Sequence, residues 1–150
     1  MEHLIRVSDE VASALAEERA VVALETTLVA HGFPAPAGIE VGTASEAAVR
    51  AGGAVPATIG VLDGRIVIGL TSTELERFTP EARKLGPRDL AVCATQGAVG
   101  ATTVGGTLVA AAAVGIRFMG TGEKLGDIAP FDPDAFLDGL FDQEPTEPAE

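Results

Sequence analysis

The sequence predicts a layered α/β/α fold with a mostly parallel sheet, and three observations lead there. Short β-branched runs such as "AVVALE" and "RIVIGL" alternate with helix-forming stretches along the chain, the pattern of helices laid on a sheet. Eighteen glycines and nine prolines, with no Trp or Tyr, supply the turns and small-residue packing between those runs. Asp63-Gly64 stands between "AVPATIGVL" and "RIVIGL", and this dipeptide is the strongest short hairpin signal. One antiparallel hairpin therefore interrupts the parallel arrangement.

Each element has its own justification. Ser8, followed by Asp9 and Glu10, reads as a helix start, with Val11, Leu15 and Ala16 as a short apolar face. "AVVALE" reads as a buried strand bounded by turn chemistry at "HGFPAP". A second helix covers Ile39 to Ala51 and closes on Gly52 and Gly53. After the hairpin, Ser72 caps a short helix through Phe78, and "RDLAVCATQG" forms a helix ending at Gly97. "GATTVGGTLVAAAAVG" reads as a turn entering a tightly packed helix, and "IRFMGTG" as a strand opening into a glycine loop. Asp132 before Pro133 is a cap and first turn for a last helix, "PDAFLDGLF". Residues 1–141 are expected to form a single α/β domain, and 142–150, "DQEPTEPAE", an acidic disordered tail.

Composition narrows the function. The net charge is −12, and residues 123–150 hold nine acidic residues against one lysine. Nucleic acid is not expected as a partner, because phosphate backbones are bound by basic patches. A mean hydropathy of +0.30 comes without any apolar run of membrane-spanning length. No membrane partner is expected, and no secretory leader is read at "MEHLIRVSDE". The lone Cys93 rules out an internal disulfide and suits a cytoplasmic protein.

The stretch "VVALETTLVAHGFPAP", residues 21–36, is where chemistry is expected. Glu25 follows Leu24 at a strand end, where open α/β sheets place their ligands. Partial burial there would lift its pKa toward the working range of a general acid or base. From position alone, a solvated carboxylate at a strand end is the commoner case. His31-Gly32 is a turn histidine, more often structural. Lys84, in "EARKLGPRDL", suits a phosphate as a compact charge on a flexible stem, or is one member of a solvated charge cluster. "GATTV", Gly100 to Val104, offers N–H groups and the hydroxyls of Thr102 and Thr103 at a helix start, suited either to an anion or to simple capping. "GTGEK", 120–124, lacks the spacing of a P-loop, and no Cys/His cluster has metal-ligand spacing.

Taken in order over roughly residues 8–122, "AVVALETTLVAHGFP", "GAVPATIGVLDGRIVIGL", "KLGPRDL", "GATTV" and "GIRFMGTG" resemble the first part of the pseudouridine-5′-phosphate glycosidases. The resemblance implies an α/β enzyme, usually oligomeric and manganese-dependent, that reversibly cleaves a C–C glycosidic bond to give uracil and ribose 5-phosphate. It implies that Glu25 is the proton donor, that Lys84 contacts substrate, and that Val104 offers a substrate-contacting backbone position, with Thr102 and Thr103 beside it. Threonine stands at Thr26 where serine is common. It also implies a metal-holding aspartate and a Schiff-base lysine further on, for which this chain shows no counterpart; Lys124 is its last lysine and lies before that region. Residues 115–141 are similar instead to the end of the GTPase domain of signal-recognition-particle receptors, without that family's P-loop or guanine motif. The expected function is thus a weakly active or inactive C-nucleotide glycosidase. The alternative is a non-catalytic, recombined or designed α/β scaffold that binds sugar phosphate.

Overall fold

The computed structural model describes residues 4–116, 118–120, 128–130, 132 and 134. They divide into two compact units, residues 1–116 and 117–150. In the first unit the chain runs β1 (Ile5–Val7), α1 (Asp9–Ala16), β2 (Val21–Leu24), a single π-helical turn (Leu28–Gly32), α2 (Ala37–Ala51), β3 (Val55–Leu62), β4 (Arg65–Ile68), α3 (Ser72–Leu75), β5 (Arg83–Leu85), α4 (Leu90–Thr95), β6 (Gly100–Thr102) and α5 (Val104–Ala112). In the second unit β7 (Phe118–Gly120) pairs antiparallel with β8 (Ile128–Pro130). There the Asp132 Oδ1 accepts from the Asp134 N–H at 3.0 Å. The remainder of the expected last helix, the glycine loop and the acidic tail lie outside the described residues.

The sheet runs β1-β4-β3-β6-β5, with β2 also on β3. β1–β4, β2–β3 and β5–β6 are parallel, whereas β3–β4 and β3–β6 are antiparallel. The mostly parallel sheet with one hairpin is therefore present. Asp63 and Gly64 take φ of 50° and 78°, the left-handed pair a two-residue hairpin requires.

β3 is buried on every residue, because helices cover both faces of the sheet. On one face Val55, Ala57, Ile59 and Val61 pack with Val11, Leu90, Cys93 and Ala110, from α1, α4 and α5. On the other, Leu62 and Val67 pack with Val29, Leu75 and Phe78, from the π-turn, α3 and the segment after it. The layered α/β/α reading holds.

Several local expectations change. Ser8 does cap α1, its hydroxyl accepting from Val11 N–H, but Ala14 rather than Ala16 completes the buried face. β2 is only half-buried, with Val22 40% exposed, because among the described residues β3 is its sole strand partner. α2 starts at Ala37, two residues early. Thr71, not Ser72, caps α3, and Glu74 completes a reciprocal capping box. "GAT" is strand β6 rather than a turn, and "RKL" is strand β5 rather than a polar loop. Both strands have three residues, too short for periodicity to declare them.

Candidate functional site

β3 is the longest strand, and along one side it changes partner halfway. Parallel β2 pairs with Val55–Thr58, then antiparallel β6 takes Gly60–Val61. The C-terminal ends of β2 and β6 therefore meet head to head beside Ile59, at a point where the sheet changes direction. Such switch points are where open α/β sheets leave a crevice for ligands.

Neither strand reaches Ile59, so its carbonyl has no ladder partner on that side. Two threonine hydroxyls replace the ladder. Thr26 Oγ1 donates to Ile59 O at 2.8 Å and Thr102 Oγ1 donates to the same oxygen at 2.7 Å. Thr102 N–H in turn donates to Thr26 Oγ1 at 2.9 Å, and Thr107 Oγ1 to Thr102 Oγ1 at 2.9 Å. Thr27 Oγ1 donates to Thr102 O at 2.8 Å. Thr26, Thr102 and Thr107 are buried, and every one of these groups is satisfied, as burial demands.

This knot fixes the residues on either side of it. Glu25 is half-buried and lines a cleft of about 70 Å³ with Leu28, Val29, Ser45 and Thr58. The Thr58 hydroxyl donates to Glu46 on α2, and the Ser45 hydroxyl to Val41 O at 2.8 Å. Burial pushes the Glu25 carboxyl above its ordinary range; the Leu28 N–H donating to it and the nearby Lys84 ammonium pull the other way and do not prevail. A carboxyl of this kind holds its proton closer to neutral pH and can act as an acid.

The direction of that shift has a consequence for stability. The folded state holds the Glu25 proton more tightly than the unfolded chain, so the ionised carboxylate opposes folding above the folded pKa. The opposition fades as pH falls through that value toward the ordinary 4.5. Glu25→Gln should therefore melt at or above the wild-type temperature at pH 8, with the gap closing by about pH 4. Thermal melts across that range check it, and a variant less stable than wild type at pH 8 contradicts it.

Lys84 sits on edge strand β5, exposed, in register with Ala101. It lies within electrostatic reach of Glu25 but lines a neighbouring cleft of about 320 Å³ with Arg83, Asp89, Val92 and Cys93. Thr103 caps α5, its hydroxyl accepting from Gly106 N–H at 3.3 Å and donating to Leu85 O at 2.9 Å. Val104 opens α5 and is 63% exposed. Glu25, Lys84 and the start of α5 thus lie together, while the hydroxyls of Thr102 and Thr103 are committed to the fold. His31 is exposed on the π-turn.

Sequence patterns alone assign no structural role to Thr26, Thr107 or the Thr58–Glu46 pair. Two Thr-Thr doublets, each at or just beyond a strand end, are the signal that could have found the first. Among the described residues no three His, Cys, Asp or Glu side chains gather to hold a metal ion. No described helix is long and apolar enough to cross a membrane.

Comparison with known proteins follows the same residues. Residues 10–133 match the family model for indigoidine synthase A like protein. That match takes in residues 115–133, most of the segment expected from the sequence to be similar to a GTPase end, and no comparison shows that similarity. The chain is 51% identical over 139 residues to a pseudouridine-5′-phosphate glycosidase of Rhodospirillum centenum, spanning 86% of this chain and 43% of that protein. It is 50% identical over 122 residues to the pseudouridine-5′-phosphate glycosidase of Chloroflexus aurantiacus, spanning 79% and 40%. The chain thus covers less than half the length of these curated relatives. Among solved structures, a prealnumycin C-glycosynthase in complex with ribulose 5-phosphate superposes with a TM-score of 0.67 at 47% identity, covering 76% of this chain and 37% of that one. An indigoidine synthase A-like protein from Thermotoga maritima superposes at 0.66 with 33% identity and the same coverage.

Proposed function

Since the chain belongs to the indigoidine synthase A-like family, we propose that it carries the proton-transfer and phosphate-holding part of a pseudouridine-5′-phosphate glycosidase site. The observation that carries this reading is Glu25: a half-buried carboxyl with a raised pKa, at the strand switch point and near Lys84. Breaking the C–C bond between uracil and ribose leaves an electron pair on the base carbon, which must take a proton, and an electron-deficient anomeric carbon, to which water adds its hydroxyl to give ribose 5-phosphate. Protonated Glu25 delivers the proton; in the reverse direction the carboxylate takes it back. The sugar phosphate is a dianion. Lys84 supplies a cation for it, and the first-turn amides of α5 at Val104 supply oriented donors.

Turnover is expected to be slow or absent. An acid by itself contributes about 10²–10⁴-fold, and no lysine stands where the resemblance implies a Schiff base. No step is assigned to manganese. The resemblance of residues 115–141 to a GTPase end adds no chemistry, because its phosphate and guanine motifs are missing from this sequence.

A second reading is a sugar-phosphate-binding domain without catalysis. Its support is the related C-glycosynthase whose structure holds ribulose 5-phosphate. Calorimetric titration with ribose 5-phosphate, together with uracil release from pseudouridine 5′-phosphate with and without Mn²⁺, separates the two. Turnover that disappears in Glu25→Gln supports the enzyme. Binding without turnover, weakened about tenfold or more by Lys84→Ala, supports the binding domain. A folded chain that neither binds nor turns over refutes both.

A further inference from the structure

We propose that Thr26 is a positioning residue for Glu25: its hydroxyl locks the end of β2 to β3 and β6, so that the acid and the phosphate-holding groups keep one geometry. The inference rests on the function proposed for Glu25 and Lys84. Thr26 is fully buried, and its hydroxyl donates to Ile59 O at 2.8 Å while accepting from Thr102 N–H at 2.9 Å. Its own carbonyl accepts the N–H groups of Val29 and Ala30 at 3.1 and 3.0 Å, which starts the π-turn. One residue therefore joins three things: the strand that leads into Glu25, the turn whose Leu28 N–H holds the Glu25 carboxylate, and the strand that leads into α5.

No regular pairing does this job, because β2 stops at Leu24 and β6 ends at Thr102. Without the hydroxyl, the Thr102 N–H loses its acceptor and the end of β2 is released. Lys84 belongs to the same frame, since β5 pairs with β6 at Lys84↔Ala101 and Leu85↔Thr102. A shift at Thr26 thus moves the acid relative to the cation, and small displacements in such sites have large effects. Valine has the shape of threonine without the hydrogen bonds. Serine keeps the hydroxyl and loses only a methyl group.

The test reads Glu25 itself. Titration of the Glu25 side-chain carboxyl by NMR is run on the wild type, Thr26→Val, Thr26→Ser and Ile68→Val, the last a buried change on β4 outside the site. Ribose 5-phosphate affinity is measured alongside. Thr26→Val should move the Glu25 midpoint toward that of an exposed glutamate and weaken binding about tenfold or more. Thr26→Ser should stay within about twofold of wild type, and Ile68→Val should leave the midpoint in place. A Glu25 midpoint unchanged in Thr26→Val, or moved as far by Ile68→Val, overturns the proposal. Should Thr26→Val fail to fold, the wild type still decides. The Thr102 amide shift should then follow the Glu25 midpoint as pH is lowered, and an amide that does not respond overturns the proposal. Absence of ribose 5-phosphate binding by the wild type counts against the proposed function alone, since the Glu25 titrations do not depend on it.

Discussion

Gly38→Ala is expected to destabilise the protein by on the order of 3 kcal/mol, a large effect for one added methyl group. A Cβ at Gly38 would lie 2.0 Å from the Val29 carbonyl oxygen and 3.0 Å from its carbon. Both are backbone atoms of the π-turn and cannot rotate aside. A Cβ at Gly42, one turn along α2, would lie 2.8 Å from the Val29 side chain. The two glycines let α2 lie directly against the turn that follows Glu25. Relief requires α2 to move off the turn, disturbing the wall of the Glu25 cleft as well as the core. A fall in Tm of roughly 10 °C should accompany it. Gly52→Ala is the control, since its nearest neighbour would be at 3.4 Å and its φ is −77°; it should change stability by no more than about 0.5 kcal/mol. Equal melting of the two variants would show that α2 tolerates displacement and that the contact is not tight.

Thr102→Val is the second large effect, expected to destabilise by about 1–3 kcal/mol. It removes a donor to Ile59 O at 2.7 Å and leaves the Thr107 hydroxyl without its acceptor in a buried site. Thr107→Val alone should cause a smaller loss, because Thr102 still donates to Ile59 O. The pair should be non-additive: with Thr102→Val in place, removing the stranded Thr107 hydroxyl should recover part of the loss. Denaturant melts of the two single variants and the double variant measure the coupling, expected at roughly 0.5–3 kcal/mol. Strict additivity would mean that the Thr107–Thr102 hydrogen bond carries no weight.

Neither glycine is marked by the residues alone, and of the threonine knot only the two Thr-Thr doublets show, whereas other parts of the site are plainly legible. Glu25 stands out because a carboxylate directly after an apolar run conflicts with ordinary core composition. The hairpin is legible because Asp63-Gly64 solves a local φ problem that few other pairs solve. Ser8 at the start of α1 is legible for a similar reason, as its hydroxyl meets an orphan amide three residues away. β5 and β6 are not. "RKL" and "GAT" become strands only because each pairs with the other and β6 also with β3, and three residues leave no periodic trace. Thr71 takes the cap expected of Ser72 because the capping box depends on Glu74 lying at the right offset, a one-residue choice between two adequate hydroxyls.

Local chemistry alone determined the α/β character, the hairpin, the positions of α1 and α2 within two residues, and Glu25 as the carboxylate at a strand end. Those features depend on neighbours a few residues apart, where propensity, capping and turn geometry act. The tertiary structure alone decided that β2 and β6 meet end to end at Ile59, that Thr26 and Thr102 bridge the gap, and that Lys84 lies near Glu25 while opening into the next cleft. Each of those pairs is separated by tens of residues, and their contact follows from sheet order and register. The raised pKa of Glu25 stands between the two: its place after an apolar strand made partial burial an expectation, and the packing of the π-turn and α2 around it supplies that burial.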